Sequence, residues 1–175
     1  MPTPAPTPQE KSLKRVLLFS RLNGWSVIVV AALGTLLALI LGDLLGSFIG
    51  LLAIASGWME VRGGRMLTQR NPAGMSWLVR SQLFLLAVVL AYCASRLGSY
   101  DEETMLANLT PDMEAVLQEA GIGKADIVPL VRMAFYGLYG TVAVTVVIYQ
   151  GGMALYYRSR VKPVTEALAM SPPPA

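Results

Sequence analysis

Side chains able to do acid–base or ligand chemistry are few in this chain. It contains no histidine and one cysteine, which excludes His-based triads, histidine-ligated haem, the usual zinc ligand sets and any internal disulfide. No convergent acid, base or metal cluster stands out, so neither a catalytic centre nor a cofactor is expected. The charges that remain suggest pairing instead. Arg132 falls in the first turn of an apolar helix, where a cation opposes the positive helix end and requires an anion. Asp43 or Asp126 is the expected partner, with Asp43 and Arg132 forming an ion pair at the outer rim. Glu60 adjoins Arg62 and Arg65 and reads as a solvated salt-bridge partner. Gln82 and Gln150 fall at similar depth in two apolar segments, a placement that predicts a hydrogen bond between them. Cys93 reads as a small buried residue. The mid-span polar groups, including Thr35, Ser47, Tyr92, Thr141 and Thr145, are uncharged. With no titratable group expected deep in the bilayer, proton relays, voltage sensors and coupled transporters lack their usual residues. Residues 121–124, Gly-Ile-Gly-Lys, match the end of a phosphate loop, but its first glycine and preceding strand are missing.

The elements that must carry these residues follow from composition. The chain has 175 residues, 54% hydrophobic and 14% charged, with mean hydropathy +0.54. Charged residues make up about a quarter of an average soluble chain, and a water-soluble domain of this length cannot hide so much apolar surface. The expected class is an all-α integral membrane protein, a four-helix bundle with a short amphipathic helix outside the bilayer. Spans are expected at about 22–42, 44–60, 77–97 and 132–157, each near the ~20 residues that cross the hydrocarbon. Gly42 and Asp43 separate the first two spans, with Gly42 ending one helix and Asp43 capping the next. Ala53-Ile54-Ala55 lies too deep in an apolar run to serve as a leader-cleavage site.

Residues 1–10 alternate proline with small polar residues and read as a disordered tail, followed by a membrane domain over 11–158. Residues 11–23 have the spacing of a basic helix lying in the interface. Residues 60–76, with Gly63-Gly64 and Asn71-Pro72, read as a loop. The outer loop 98–129 contains Thr110-Pro111-Asp112, a helix-start pattern, with Gly121 closing the helix. Residues 159–175 form a basic, then proline-rich, cytoplasmic tail.

Most of the fourteen basic residues fall at the two ends and in the 60–80 region, which places both termini in the cytoplasm of a cell (inner) membrane. Trp25, Trp58 and Trp77 then share the cytoplasmic interface, where tryptophan is enriched. Lys14, Arg15, Arg62, Arg65 and Arg158 are expected to meet lipid headgroups, and lipid is a better partner for them than nucleic acid. Small residues four apart mark helix-packing faces. They are Gly34, Ala38 and Gly42, then Gly46 and Gly50, then Ala87 and Ala91, then Gly137 and Thr141. The expected function is that of a non-catalytic accessory, assembly or scaffold subunit, meeting a membrane-protein partner or further copies of itself through these faces. The alternative is an oligomeric channel or transporter component for a small solute.

Overall fold

The computed structural model describes residues 7–101, 110–119, 121 and 124–170. Residues 1–6 and 171–175 of the two proline-rich ends lie outside the described residues, as do residues 102–109, 120 and 122–123. The described elements are all helices: α1 (Pro8–Ile40), α2 (Leu44–Thr68), α3 (Ala73–Gly98), α4 (Pro111–Glu119) and α5 (Lys124–Met170). Four of them, α1, α2, α3 and α5, are long and apolar enough to cross a membrane. The chain is a multi-pass, all-α membrane protein. Lipid is the environment its surface requires, since Ile40, Leu44 and Ile148 are each at least 70% exposed.

Helix boundaries differ from the sequence expectation at several ends; α5, for one, begins at Lys124, inside the expected outer loop 98–129. Residues 8–10, read as part of a disordered tail, open α1. Thr7 Oγ1 accepts from the Glu10 amide at 3.2 Å while the Glu10 carboxylate accepts from the Thr7 amide at 2.8 Å, closing a capping box. Pro8 stands at the first helical turn, where its missing N–H costs nothing. The expected interfacial helix is therefore continuous with the first span. The 60–76 loop is mostly helix as well. α2 runs to Thr68 and α3 begins at Ala73, leaving a turn in which Arg70 has φ 61° and Asn71 Oδ1 accepts from the Ala73 amide at 3.0 Å. At the other end, the tail expected after residue 158 continues α5 to Met170, with Val164 and Ala167 buried.

Between α1 and α2 the chain reverses through Gly42, whose φ of +71° is the left-handed conformation glycine adopts without strain. Asp43 caps α2 through a 2.9 Å bond from the Gly46 amide to Oδ1.

The chain divides into two compact units, Met1–Val89 with Val146–Ala175, and Leu90–Thr145. In the first, α1 and α2 pack antiparallel. A Cβ built on Gly57 would lie 2.8 Å from the Gly24 carbonyl oxygen, and one on Gly50 would strike Thr35. A Cβ on Gly63 would lie 3.0 Å from the Gly74 carbonyl oxygen, so α3 approaches α2 as closely. Val16, Leu67, Met75, Leu78, Tyr157 and Val164 form the apolar core of this unit, one contribution or more from each of its four helices. The second unit carries a run of aromatic contacts. The Phe135 ring lies 5.0 Å from Tyr100 and 4.8 Å from Tyr139, and Tyr92 lies 6.0 Å from Tyr139. Here α4 is capped by Thr110, whose hydroxyl accepts from the Met113 amide at 3.3 Å. Its Met113 and Val116 remain exposed.

Candidate functional site

The inward face of α2 is drawn by residues three and four apart: Ser56, Gly57, Glu60, Gly63, Gly64 and Leu67 are all buried. Glu60 lies between two glycine contacts, Gly57 against α1 and Gly63 against α3. Close backbone approach on both sides encloses it, and the residue is 1% exposed.

Each neighbouring helix supplies a polar group to this carboxylate. From α1, Asn23 Nδ2 donates to Oε2 at 2.7 Å. From α5, the Tyr157 hydroxyl donates to Oε1 at 2.6 Å. From α3, the Gln82 side chain is a further hydrogen-bonding neighbour. The Asn23 amide is itself oriented, because its Oδ1 accepts from the Tyr149 hydroxyl at 2.9 Å. The donors therefore run in one direction, Tyr149 to Asn23 to Glu60, and meet Tyr157 there. Nearby, Ser56 Oγ donates to the Ser81 carbonyl at 2.8 Å and ties α2 to α3 again. A carboxyl group offers about four lone-pair sites, and neutral donors from α1 and α5 occupy its two oxygens. Among the described residues no cation takes part. The arrangement holds an acceptor in a buried place and fixes the helices that provide the donors.

This overturns the reading of Glu60 as a solvated partner of Arg62 and Arg65, and with it the expectation that no titratable group is buried. The reason is rotation about the α2 axis: Glu60 faces inward, whereas Arg62 and Arg65 are exposed. The Arg62 guanidinium lies 5.5 Å from the Trp58 ring and 5.1 Å from the Trp77 ring. The expected bond between Gln82 and Gln150 is also absent. Gln82 neighbours Glu60 instead, and the Oε1 atoms of both glutamines have no partner among the described residues.

The other expected residues are distributed as follows. Lys14, Arg15 and Arg158 are exposed, like Arg62 and Arg65. Asp43 lies in the α1–α2 turn, and Arg132 lies more than two turns into α5, which begins at Lys124, so it is not in the first turn of its helix as expected. Gly46 and Gly50 face α1, where a Cβ on Gly46 would lie 3.3 Å from the Ala38 Cβ. Gly34, Gly42 and Gly137 have nothing within 4 Å of such a Cβ. Ala87, Ala91 and Thr141 are exposed and Cys93 is buried. Sequence reasoning passed over Asn23, Tyr149, Tyr157, Ser56 and Ser81. The available sign was Ser56, Glu60, Gly63 and Leu67, one helical stripe in which an acid follows the spacing of small and apolar residues.

No family model, curated protein or solved structure matches this chain. Among the described residues no group of histidine, cysteine and acidic side chains is placed to hold a metal ion.

Proposed function

We propose that this protein is a non-catalytic subunit of the cell (inner) membrane, with both termini in the cytoplasm. It acts as an accessory, assembly or scaffold element through helix–helix contacts with a membrane protein or with its own copies. The observation that carries this reading is the uneven use of glycine. Gly24, Gly50, Gly57, Gly63 and Gly74 sit where a Cβ would collide with a neighbouring helix, whereas Gly34, Gly137, Gly140, Gly151 and Gly152 have nothing within 4 Å. Glycine inside a helix costs about 0.8–1 kcal/mol relative to alanine. In lipid, what offsets that cost is close packing, and at the second set of positions a partner helix supplies it. The inward-directed network around Glu60 agrees with this, because its donors serve the bundle's own cohesion.

Extraction in mild detergent followed by native-mass measurement is the test. The expected result is a species heavier than one chain, containing either a stoichiometric partner or several copies, which Gly140→Leu together with Gly151→Leu dissociates without loss of helix content. A strictly monomeric species would refute it. A second reading, a channel or transporter component for a small solute, is favoured by Glu60 alone, since an ionisable group inside membrane helices commonly marks a pathway. Solute flux into liposomes containing only this chain, abolished by Glu60→Gln, would select it.

A further inference from the structure

At the end of the α1–α2 hairpin away from Gly42, the two helices border a cleft of about 460 Å³. Lys14 and Arg21 of α1 and Arg65 of α2 line it. All three are exposed, and among the described residues none of them carries an ion pair. Two hydroxyls also line the cleft, but Ser20 donates to the Leu17 carbonyl at 3.1 Å and Thr68 to the Arg65 carbonyl at 2.6 Å. The attraction for a ligand therefore comes from the cations. Toward the hairpin interior the lining becomes apolar, with Trp25 one helical turn beyond Arg21 and Val61 one turn beyond Arg65. Gly64 makes room between the helices: a Cβ there would lie 2.7 Å from Ser20 Oγ.

Three unpaired cations at the mouth and an apolar inner wall, set at the end of two membrane-spanning helices, match an amphiphile with an anionic head. We infer that this cleft binds one anionic phospholipid, its phosphate held by Lys14, Arg21 and Arg65 and an acyl chain running past Trp25 and Val61. This assignment does not rest on the subunit reading. It also differs from general attraction of basic residues to a membrane surface, because it selects three cations and leaves out Arg15 and Arg158, which do not line the cleft.

The test uses the full chain in nanodiscs of phosphatidylcholine and phosphatidylglycerol in equal parts, with native mass spectrometry counting retained lipid. The wild type retains phosphatidylglycerol in preference to phosphatidylcholine. Lys14→Gln, Arg21→Gln and Arg65→Gln combined lower that retention roughly a hundredfold, given the usual contribution of each basic residue near an anionic surface. A control carrying Arg15→Gln, Arg158→Gln and Lys162→Gln removes the same charge and keeps the preference. All six positions are exposed, and unchanged helix content and melting in both variants establish that each is folded. Equal loss in the two variants, or no preference in the wild type, overturns the inference. Displacement of the lipid by inorganic phosphate at matching concentration would overturn it too, by assigning the cleft to a soluble anion.

Discussion

Removing the Tyr157 hydroxyl and removing the Tyr149 hydroxyl should have very different consequences, although both end a hydrogen bond to the same network. Tyr157 is fully buried and donates to a carboxylate oxygen at 2.6 Å. Tyr157→Phe keeps the ring packed against Val16 and Leu67 and takes away only the proton donor, leaving one oxygen of a buried carboxylate under-satisfied. Leaving a buried acceptor unsatisfied costs ~1–3 kcal/mol, so unfolding should become easier by about 2 kcal/mol. Tyr149 is 52% exposed and donates to a neutral amide oxygen at 2.9 Å. Interhelical bonds of that kind average about 0.6 kcal/mol in membranes, and Tyr149→Phe should cost no more than that. Reversible unfolding in mixed micelles, followed by far-ultraviolet circular dichroism and by fluorescence of Trp25, Trp58 and Trp77, measures both. A double-mutant cycle completes the experiment. In a Glu60→Leu background Tyr157→Phe should lose most of its effect, because the acceptor is gone. Equal costs for the two tyrosines, or an undiminished Tyr157→Phe effect without Glu60, would refute the account of Glu60 as the acceptor on which the helices converge.

Gly57→Ala places a Cβ 2.7 Å from Ile28 Cγ1 and 2.8 Å from the Gly24 carbonyl oxygen. Backbone cannot move aside cheaply, so a loss of about 1–3 kcal/mol is expected in the same unfolding assay. Gly34→Ala, which meets nothing within 4 Å, should be neutral or stabilise the isolated chain by up to about 1 kcal/mol. Asp43→Ala removes the 2.9 Å cap on the Gly46 amide and should lower stability by about 1 kcal/mol; an Asn at this position should recover most of it. Cysteine scanning in a Cys93→Ser background, with impermeant thiol reagents on sealed vesicles, should label position 101 from the side opposite position 70. Labelling of both from one side would exclude the four-crossing arrangement.

Membrane residence and helix number were legible in the sequence because they depend on summed quantities. Apolar runs long enough to cross a bilayer keep that property whatever their neighbours do, and Gly42-Asp43 specify a reversal through local backbone chemistry alone. Helix ends were less legible. Pro8 and the Gly63-Gly64 pair are breakers by propensity, yet the first serves a capping box and the second lies where α2 meets its neighbours. The signs were present, but their meaning depended on context. The continuation of α5 through Val164 rests on its packing with Val16 of α1, Leu67 of α2 and Met75 of α3, which no local pattern states.

What the residues determined unaided, then, is the lipid environment, the four long helices and the scarcity of groups able to do chemistry. The tertiary structure alone decided which side of α2 faces inward. A carboxylate two residues before an arginine can lie in water or be enclosed, and the choice is made by a rotation that depends on where Gly57 and Gly63 let other helices approach. That rotation takes Glu60 away from Arg62 and Arg65 and delivers it to Asn23, Gln82 and Tyr157. These partners lie far apart along the chain and are related only by the packing of the helices that carry them.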